Sequence, residues 1–245
     1  MSEGRAPVRV VGSSTGSEHA SPNTHRSSLI AQHCRAVLFD LDGTLVDSVE
    51  SIVRSFTHAT QSLLGTTVPR EAIVATIGRP LAPIFEALAP GRGAELLQTY
   101  RAYLNEHHDA LVRAFPGTIE LLAELRGRGY ALGIVTAKSR LQAELSFRLC
   151  ALEPLVEVTI CHEDAERPKP APDPLLAAAR RLGLSPAACL YVGDSVFDLL
   201  AARAAGMASA AVTWGAGTLA DLEAQAPELI VHEPAELLAH CPPRA

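Results

Sequence analysis

The chain has 245 residues, 48% of them hydrophobic and 20% charged, a balance that supports a packed core and excludes global disorder. Its net charge of −6 argues against a general nucleic-acid binder, and no apolar run approaches the ~18 residues that a membrane helix needs. Five cysteines (Cys34, Cys150, Cys161, Cys189 and Cys241) without a CxxC pair read as reduced thiols, so a soluble cytoplasmic protein is expected.

Residues 1–33 hold seven serines by position 28 and no aromatic residue, and a disordered N-terminal extension is expected there. The apolar run Ala36-Val37-Leu38-Phe39 predicts a buried strand that ends in the polar turn Asp40-Leu41-Asp42-Gly43-Thr44. From Ser48 to Phe115 the apolar residues recur at helical spacing, with breaks at Pro69, Gly78-Arg79-Pro80 and Pro90-Gly91, and no strand is expected. His107 and His108 fall on a polar helix of this stretch and read as surface residues. After Pro116-Gly117 helices and strands alternate. Strands are expected at 130–136, 156–160, 189–193, 208–213 and 228–231, with helices at 118–128, 138–149, 173–182 and 196–205.

Repeated units of this kind predict an α/β fold, a Rossmann-like parallel sheet covered on both faces. The helical stretch follows the first strand at once, so it reads as an inserted all-helical cap. The expected organisation is a catalytic core of residues 34–48 and 116–241 and a cap of residues 49–115.

Ligands in such sheets bind at the carboxyl ends of the strands. The residues at those ends are Asp40 and Asp42, Thr136 with Lys138 two positions on, and Asp194 with Asp198 four positions on; Lys169 lies in the stiff loop Arg167-Pro168-Lys169-Pro170. Several carboxylates brought together repel unless a cation joins them, and an all-oxygen site suits Mg²⁺ with a substrate phosphate. The chemistry expected is phosphoryl transfer. Asp40 is the candidate nucleophile, Asp42 the acid and then the base, Thr136 a donor to a phosphoryl oxygen, and Lys169 a second positive charge. The chain turns at Gly43, so Asp42 points away from Asp40. Lys138 is open between a phosphate contact and a surface residue at a helix start. Only two of the 21 basic residues are lysines, Lys138 and Lys169, and a chain this rich in arginine either keeps lysine where a compact charge is needed or retains it by chance. Arg79, in the cap turn, is either a substrate contact or part of a helix connector.

Asp40-Leu41-Asp42-Gly43-Thr44-Leu45-Val46-Asp47-Ser48, Val135-Thr136, Lys169-Pro170 and Gly193-Asp194-Ser195-Val196-Phe197-Asp198 resemble, in order and spacing, the four motifs of the haloacid dehalogenase-like hydrolases. Within that superfamily the chain is similar to the phosphoglycolate phosphatase and pyrophosphatase group. The resemblance implies a mobile cap and Mg²⁺ held by Asp40, the main-chain carbonyl of Asp42, and Asp194. It implies that Asp198 supports the site by holding Lys169 or a metal-bound water. Ala137 departs from the pattern, since many relatives carry Asn or Ser there, which leaves the backbone N–H to orient the phosphate alone.

The activity expected is hydrolysis of a small phosphorylated metabolite through an aspartyl-phosphate, by a monomer or homodimer with no nucleic-acid or membrane partner. A sugar phosphomutase, a narrow sugar-phosphate phosphatase and a pyrophosphatase are the alternatives. A dehalogenase would not need Asp42, and a phosphonatase would need a cap lysine, which residues 48–115 lack. A non-enzymatic role would be favoured by loss of Asp40, Asp42 or Asp194, and all three are present.

Overall fold

The computed structural model describes residues 1, 30 and 32–244 of the chain. The expected N-terminal disorder falls, over residues 2–29 and 31, outside the described residues. Ile30 is buried, and its carbonyl accepts from the Cys34 N–H at 3.0 Å.

In chain order the main elements are β1 (Ala36–Phe39), β2 (Val46–Asp47), α1 (Val49–Leu64), α2 (Arg70–Val74), α3 (Leu81–Leu88), α4 (Gly93–Leu111) and β3 (Arg113–Ala114). They are followed by α5 (Thr118–Gly127), β4 (Ala131–Val135), α6 (Arg140–Leu149), β5 (Val158–Ile160), α7 (Asp173–Arg181), β6 (Cys189–Gly193) and α8 (Val196–Ala205). Strands β7 (Ala208–Val212) and β8 (Leu229–Val231) flank α9 (Leu219–Glu223), and α10 (Leu237–His240) ends the fold. No described helix is long and apolar enough to cross a membrane.

Six strands form one parallel sheet in the order β5-β4-β1-β6-β7-β8. Strand β1 is buried along its whole length because both faces of the sheet are covered. Alternate side chains of a strand point to opposite faces. Val37 and Phe39 therefore enter the core under α5 and α6 with Leu122 and Phe147, while Ala36 and Leu38 enter the core under α7 and α8 with Leu175 and Ala202. The chain runs outward from β1 to β4 and β5, then returns to β6 on the other side. This reversal beside β1 is the switch point at which a crevice opens in open α/β sheets.

Helices α1 to α4 share a separate apolar cluster that includes Ile52, Phe56, Ile73, Phe85, Leu96 and Leu104. The two chain segments that join this insertion to the sheet pair with one another. Val46 lies opposite Ala114 and Asp47 opposite Arg113 in an antiparallel ribbon, β2 with β3. No strand is expected from Ser48 to Phe115, yet β3 lies there; two residues are too few to set up a detectable alternation of polar and apolar positions.

Candidate active site

Parallel pairing sets the ends of β1, β4 and β6 side by side, so Asp40, Thr136 and Asp194 emerge at one edge. All three are buried. Asp40 Oδ1 accepts from the N–H of Leu41 at 2.8 Å and lies 3.0 Å from Lys169 Nζ. Lys169 is only 3% exposed, and its ammonium also donates to Asp198 Oδ1 at 2.7 Å and to the Tyr191 hydroxyl at 3.0 Å. Tyr191 donates in turn to the Val135 carbonyl at 3.0 Å.

Asp198 owes its place to the start of α8. Ser195-Val196-Phe197-Asp198 forms a capping box in which the Ser195 hydroxyl accepts from the Asp198 N–H. Asp198 Oδ2 accepts in return from the Ser195 N–H at 3.0 Å and hydroxyl at 2.5 Å. With Lys169 on Oδ1 and Ser195 on Oδ2, both oxygens of Asp198 are engaged by protein donors. Asp194 is held more lightly: Oδ1 accepts from the Thr44 hydroxyl at 2.8 Å and Oδ2 from the Ala216 N–H at 2.7 Å. The chain is crowded here. A Cβ on Gly43, whose φ is +79°, would lie 2.2 Å from Asp194 Oδ2, and one on Gly215 would lie 2.3 Å from Asp194 Cβ.

Carboxylate oxygens of Asp40, Asp194 and Asp198 lie within 4.8 Å of one another. Three carboxylates thus face one ammonium. Burial raises Asp40 well above the ordinary carboxylate range against the pull of Lys169, with Asp198, Asp194 and Asp42 adding repulsion. Burial, with Asp198, lifts Asp194 to about 7. For Lys169, burial acts downward, yet Asp198 and Asp40 hold the ammonium well above its usual range. The donor set is all oxygen, and two charges remain uncompensated if all three acids ionise. A hard divalent cation such as Mg²⁺ fits that deficit. Asp198 accepts from Lys169 and twice from Ser195, whereas each oxygen of Asp194 accepts one hydrogen bond and keeps a lone pair that a cation could use.

Asp42 sits apart from this cluster. Its Oδ1 accepts from Ser48 Oγ and pairs with Lys138 Nζ, each at 2.5 Å. Lys138 is thus neither a surface residue nor a member of the Asp40 cluster: it faces the second aspartate. Both lysines of the chain therefore lie against the two aspartates of the first motif, which argues against chance retention. The Lys138 N–H also donates to Thr136 Oγ1 at 3.2 Å.

Above these residues lies a cavity of about 110 Å³ between the sheet edge and the helical insertion, lined by Asp40, Asp42, Thr136 and Lys138 below and by Ile77 and Tyr100 above. Arg79 also lines it, exposed, with its guanidinium 5.6 Å from the centre of the Phe197 ring. The turn that carries Arg79 thus rests on the start of α8. His108 corrects an expectation. It is 2% exposed, and its Nε2 lies 3.0 Å from Ser146 Oγ on α6, because α4 turns this face toward the sheet domain. Tyr191 and the Gly215-Ala216-Gly217 loop were missing from the sequence reading. The signals were present: a tyrosine in a fully buried strand needs a partner for its hydroxyl, and paired glycines mark a close backbone approach.

A family model described as haloacid dehalogenase-like hydrolase matches residues 37–212. A curated relative, pyrophosphatase PpaX from Bacillus cereus, is 36% identical over 202 residues, which are 82% of this chain and 94% of the relative. The solved structure of a haloacid dehalogenase-like hydrolase from Streptococcus pneumoniae is 33% identical with a TM-score of 0.75, covering 85% of this chain and 98% of that one. A second such structure, from Bacteroides fragilis, is 30% identical with a TM-score of 0.78, covering 84% of this chain and 100% of that one. With the four motifs gathered at one sheet edge and matches of this length, the chain belongs to the haloacid dehalogenase-like hydrolase family.

Proposed function

We propose that the protein is a Mg²⁺-dependent phosphatase that hydrolyses a small phosphorylated metabolite through an aspartyl-phosphate on Asp40. The observation that carries this reading is the buried Asp40 carboxylate at the floor of the cavity, 3.0 Å from Lys169 Nζ, with Thr136 and Asp194 at the adjoining strand ends.

Bound by Asp40, Asp194 and the main-chain carbonyl of Asp42, Mg²⁺ would supply the positive charge that lets a phosphate approach a carboxylate. Lys169, 3.0 Å from Asp40, adds a second positive charge, and Thr136 with the Ala137 N–H orients the phosphoryl oxygens. An Asp40 oxygen attacks phosphorus, the bond from phosphorus to the leaving oxygen breaks, and Asp42 gives that oxygen a proton. Water then attacks phosphorus, Asp42 takes its proton, and the bond to Asp40 breaks, which returns both carboxyls to their starting states. Both protein bonds to Asp42 fall on Oδ1, which leaves Oδ2 to carry the proton. The helices lie over the cavity, and the β2–β3 ribbon is the hinge on which they would open and close. Residues 49–115 thus serve as the cap and residues 34–48 and 116–241 as the catalytic core.

The relatives at 36% identity favour a second reading, pyrophosphate as the substrate. Phosphate release from p-nitrophenyl phosphate, phosphoglycolate, sugar phosphates and pyrophosphate, measured with and without Mg²⁺, separates the two. Exhaustive chelation should abolish activity, Mg²⁺ should restore it, and Ca²⁺ should substitute poorly because it accepts looser, higher coordination. Full activity after chelation would remove the metal from the mechanism. Stability gives an independent readout. In metal-free protein a carboxyl with a native pKa of about 7 binds a proton that the unfolded chain has released, so stability falls as pH rises from about 4 to about 7. Mg²⁺ should therefore raise the melting temperature more at pH 8 than at pH 5. An equal rise at both would show that the ion does not bind these carboxylates.

A further inference from the structure

Asp42 is gripped through Oδ1 alone, by the hydroxyl of Ser48 and the ammonium of Lys138, each at 2.5 Å. The Lys138 ammonium has a second contact, a long one: it lies 3.5 Å from Ser146 Oγ on α6. Ser146 Oγ is in turn 3.0 Å from Nε2 of His108, which comes from α4 of the helical insertion. His108 Nδ1 lies 2.8 Å from Oδ1 of Asp109, an exposed residue. A continuous run of polar contacts thus leads from Asp42 through Lys138, Ser146 and His108 to the surface.

The directions of these bonds agree. An ammonium only donates and a carboxylate only accepts. Lys138 therefore leaves the Ser146 hydroxyl hydrogen for Nε2, and Nδ1 carries the hydrogen that meets Asp109. A neutral imidazole that donates at Nδ1 accepts at Nε2, so each group in the run finds its complement. His108 and Ser146 are 2% and 0% exposed. Apolar residues would seal the seam between α4 and α6 without the cost of burying an imidazole and a hydroxyl. That seam also has another polar tie, since the Gln142 and Asn105 amides meet across it at 2.7 Å.

Building on the phosphatase reading, we propose that His108 is a positioning residue for proton transfer: it orients Ser146, which steadies the Lys138 ammonium on Oδ1 of Asp42 and so aims Oδ2 at the leaving oxygen. Lysine is a compact charge on a flexible stem, and a single contact leaves that stem free to swing. Ser146 supplies the second contact, and His108 turns the Ser146 hydroxyl so that its lone pairs face Lys138. His108 belongs to the insertion and Lys138 to the sheet domain, so the acid is fully aligned only while α4 is seated on α6. His108 itself touches no reacting atom.

The readout is sensitivity to the leaving group. A poor leaving oxygen needs the Asp42 proton as its bond to phosphorus breaks, whereas p-nitrophenolate departs without one. p-Nitrophenyl and p-methylphenyl phosphate share a para-substituted ring and differ in that need. The test is the ratio of their kcat/KM values with Mg²⁺ present, p-nitrophenyl over p-methylphenyl. It is measured for wild type, Ser146→Ala, His108→Leu, His108→Gln, Asn105→Ala and Asp42→Ala, each checked for folding by its thermal melt. Asp42→Ala, without the acid, should raise the ratio ~10²-fold over wild type. Ser146→Ala and His108→Leu misalign the acid without removing it, and each should raise the ratio by about 10-fold. His108→Gln, whose amide oxygen can stand in for Nε2, should stay within about twofold of wild type. Asn105→Ala cuts the other tie between the two helices and should leave the ratio unchanged.

An unchanged ratio in folded Ser146→Ala or His108→Leu overturns the proposal. So does an equal fall on both esters, which would make His108 a tie between layers and nothing more. A rise in Asn105→Ala as large as that in His108→Leu overturns it too, since any loosening of the seam would then suffice. The phosphatase reading has separate controls. If wild type fails to hydrolyse p-nitrophenyl phosphate, or if Asp42→Ala leaves the ratio unchanged, that reading of the site falls and this inference with it. If Asp42→Ala raises the ratio while Ser146→Ala and His108→Leu do not, the inference falls alone.

Discussion

Asp40→Asn is expected to lower turnover by about 10⁴-fold or more while the protein stays folded, since an amide does not act as the nucleophile. The stability side follows from the charge balance. Asp40 shares a buried site with Asp194 and Asp198, and burial already drives its carboxyl toward the neutral form. A neutral amide of the same shape relieves that repulsion. The metal-free variant should therefore melt at or above the wild-type temperature at pH 8. Circular dichroism melts together with phosphate release on a substrate panel check both halves. Substantial turnover by the variant would remove Asp40 from the role of nucleophile, and a large drop in melting temperature would make the activity result uninformative about chemistry.

Lys169→Met should fail in both respects. The ammonium is the positive charge between Asp40 and Asp198, at 3.0 and 2.7 Å, and it also meets the Tyr191 hydroxyl. Removing one partner of a buried ion pair strands the other, at a cost of ~3–5 kcal/mol. The expected result is a lowered urea midpoint in metal-free protein and loss of activity, with Mg²⁺ recovering part of the stability and none of the turnover. Lys169→Arg tests the shape of the charge. With the residue 3% exposed, a planar guanidinium has no room to replace a compact ammonium that meets three oxygens, so activity should be lost here too. Activity near wild type in Lys169→Arg would mean that any positive charge suffices.

The sheet was legible because its strands are buried on both faces and read as uninterrupted apolar runs, as in Ala36-Val37-Leu38-Phe39 and Leu190-Tyr191-Val192. Once those runs were placed, the residues at their ends followed, and the structure brings Asp40, Thr136, Asp194, Asp198 and Lys169 to one edge. What stayed hidden depends on how separate elements dock. His108 sits on a helix of mean polar character, and only the approach of α4 to α6 buries it against Ser146. Lys138 meets Asp42 across 96 positions of sequence, and Gln142 meets Asn105 across 37. Neither pairing leaves a periodicity in the chain. The Gly215-Ala216-Gly217 loop looks like an ordinary turn until Asp194 is placed against it. The helical insertion was legible as helices and illegible as a surface, since one helical stripe does not say which partner it covers.

The central claim is a covalent phosphate on Asp40. The most direct measurement is acid quench of the Mg²⁺-loaded protein during turnover of a ³²P-labelled phosphate ester, followed by proteolysis and mass spectrometry. The account predicts an acid-stable, hydroxylamine-sensitive phosphoryl group on the peptide containing Asp40, absent from Asp40→Asn and most abundant in Asp42→Ala, where water attack lacks its base. Phosphate attached to another residue, or turnover by the wild type with no covalent phosphate at any quench time in it or in Asp42→Ala, would contradict it.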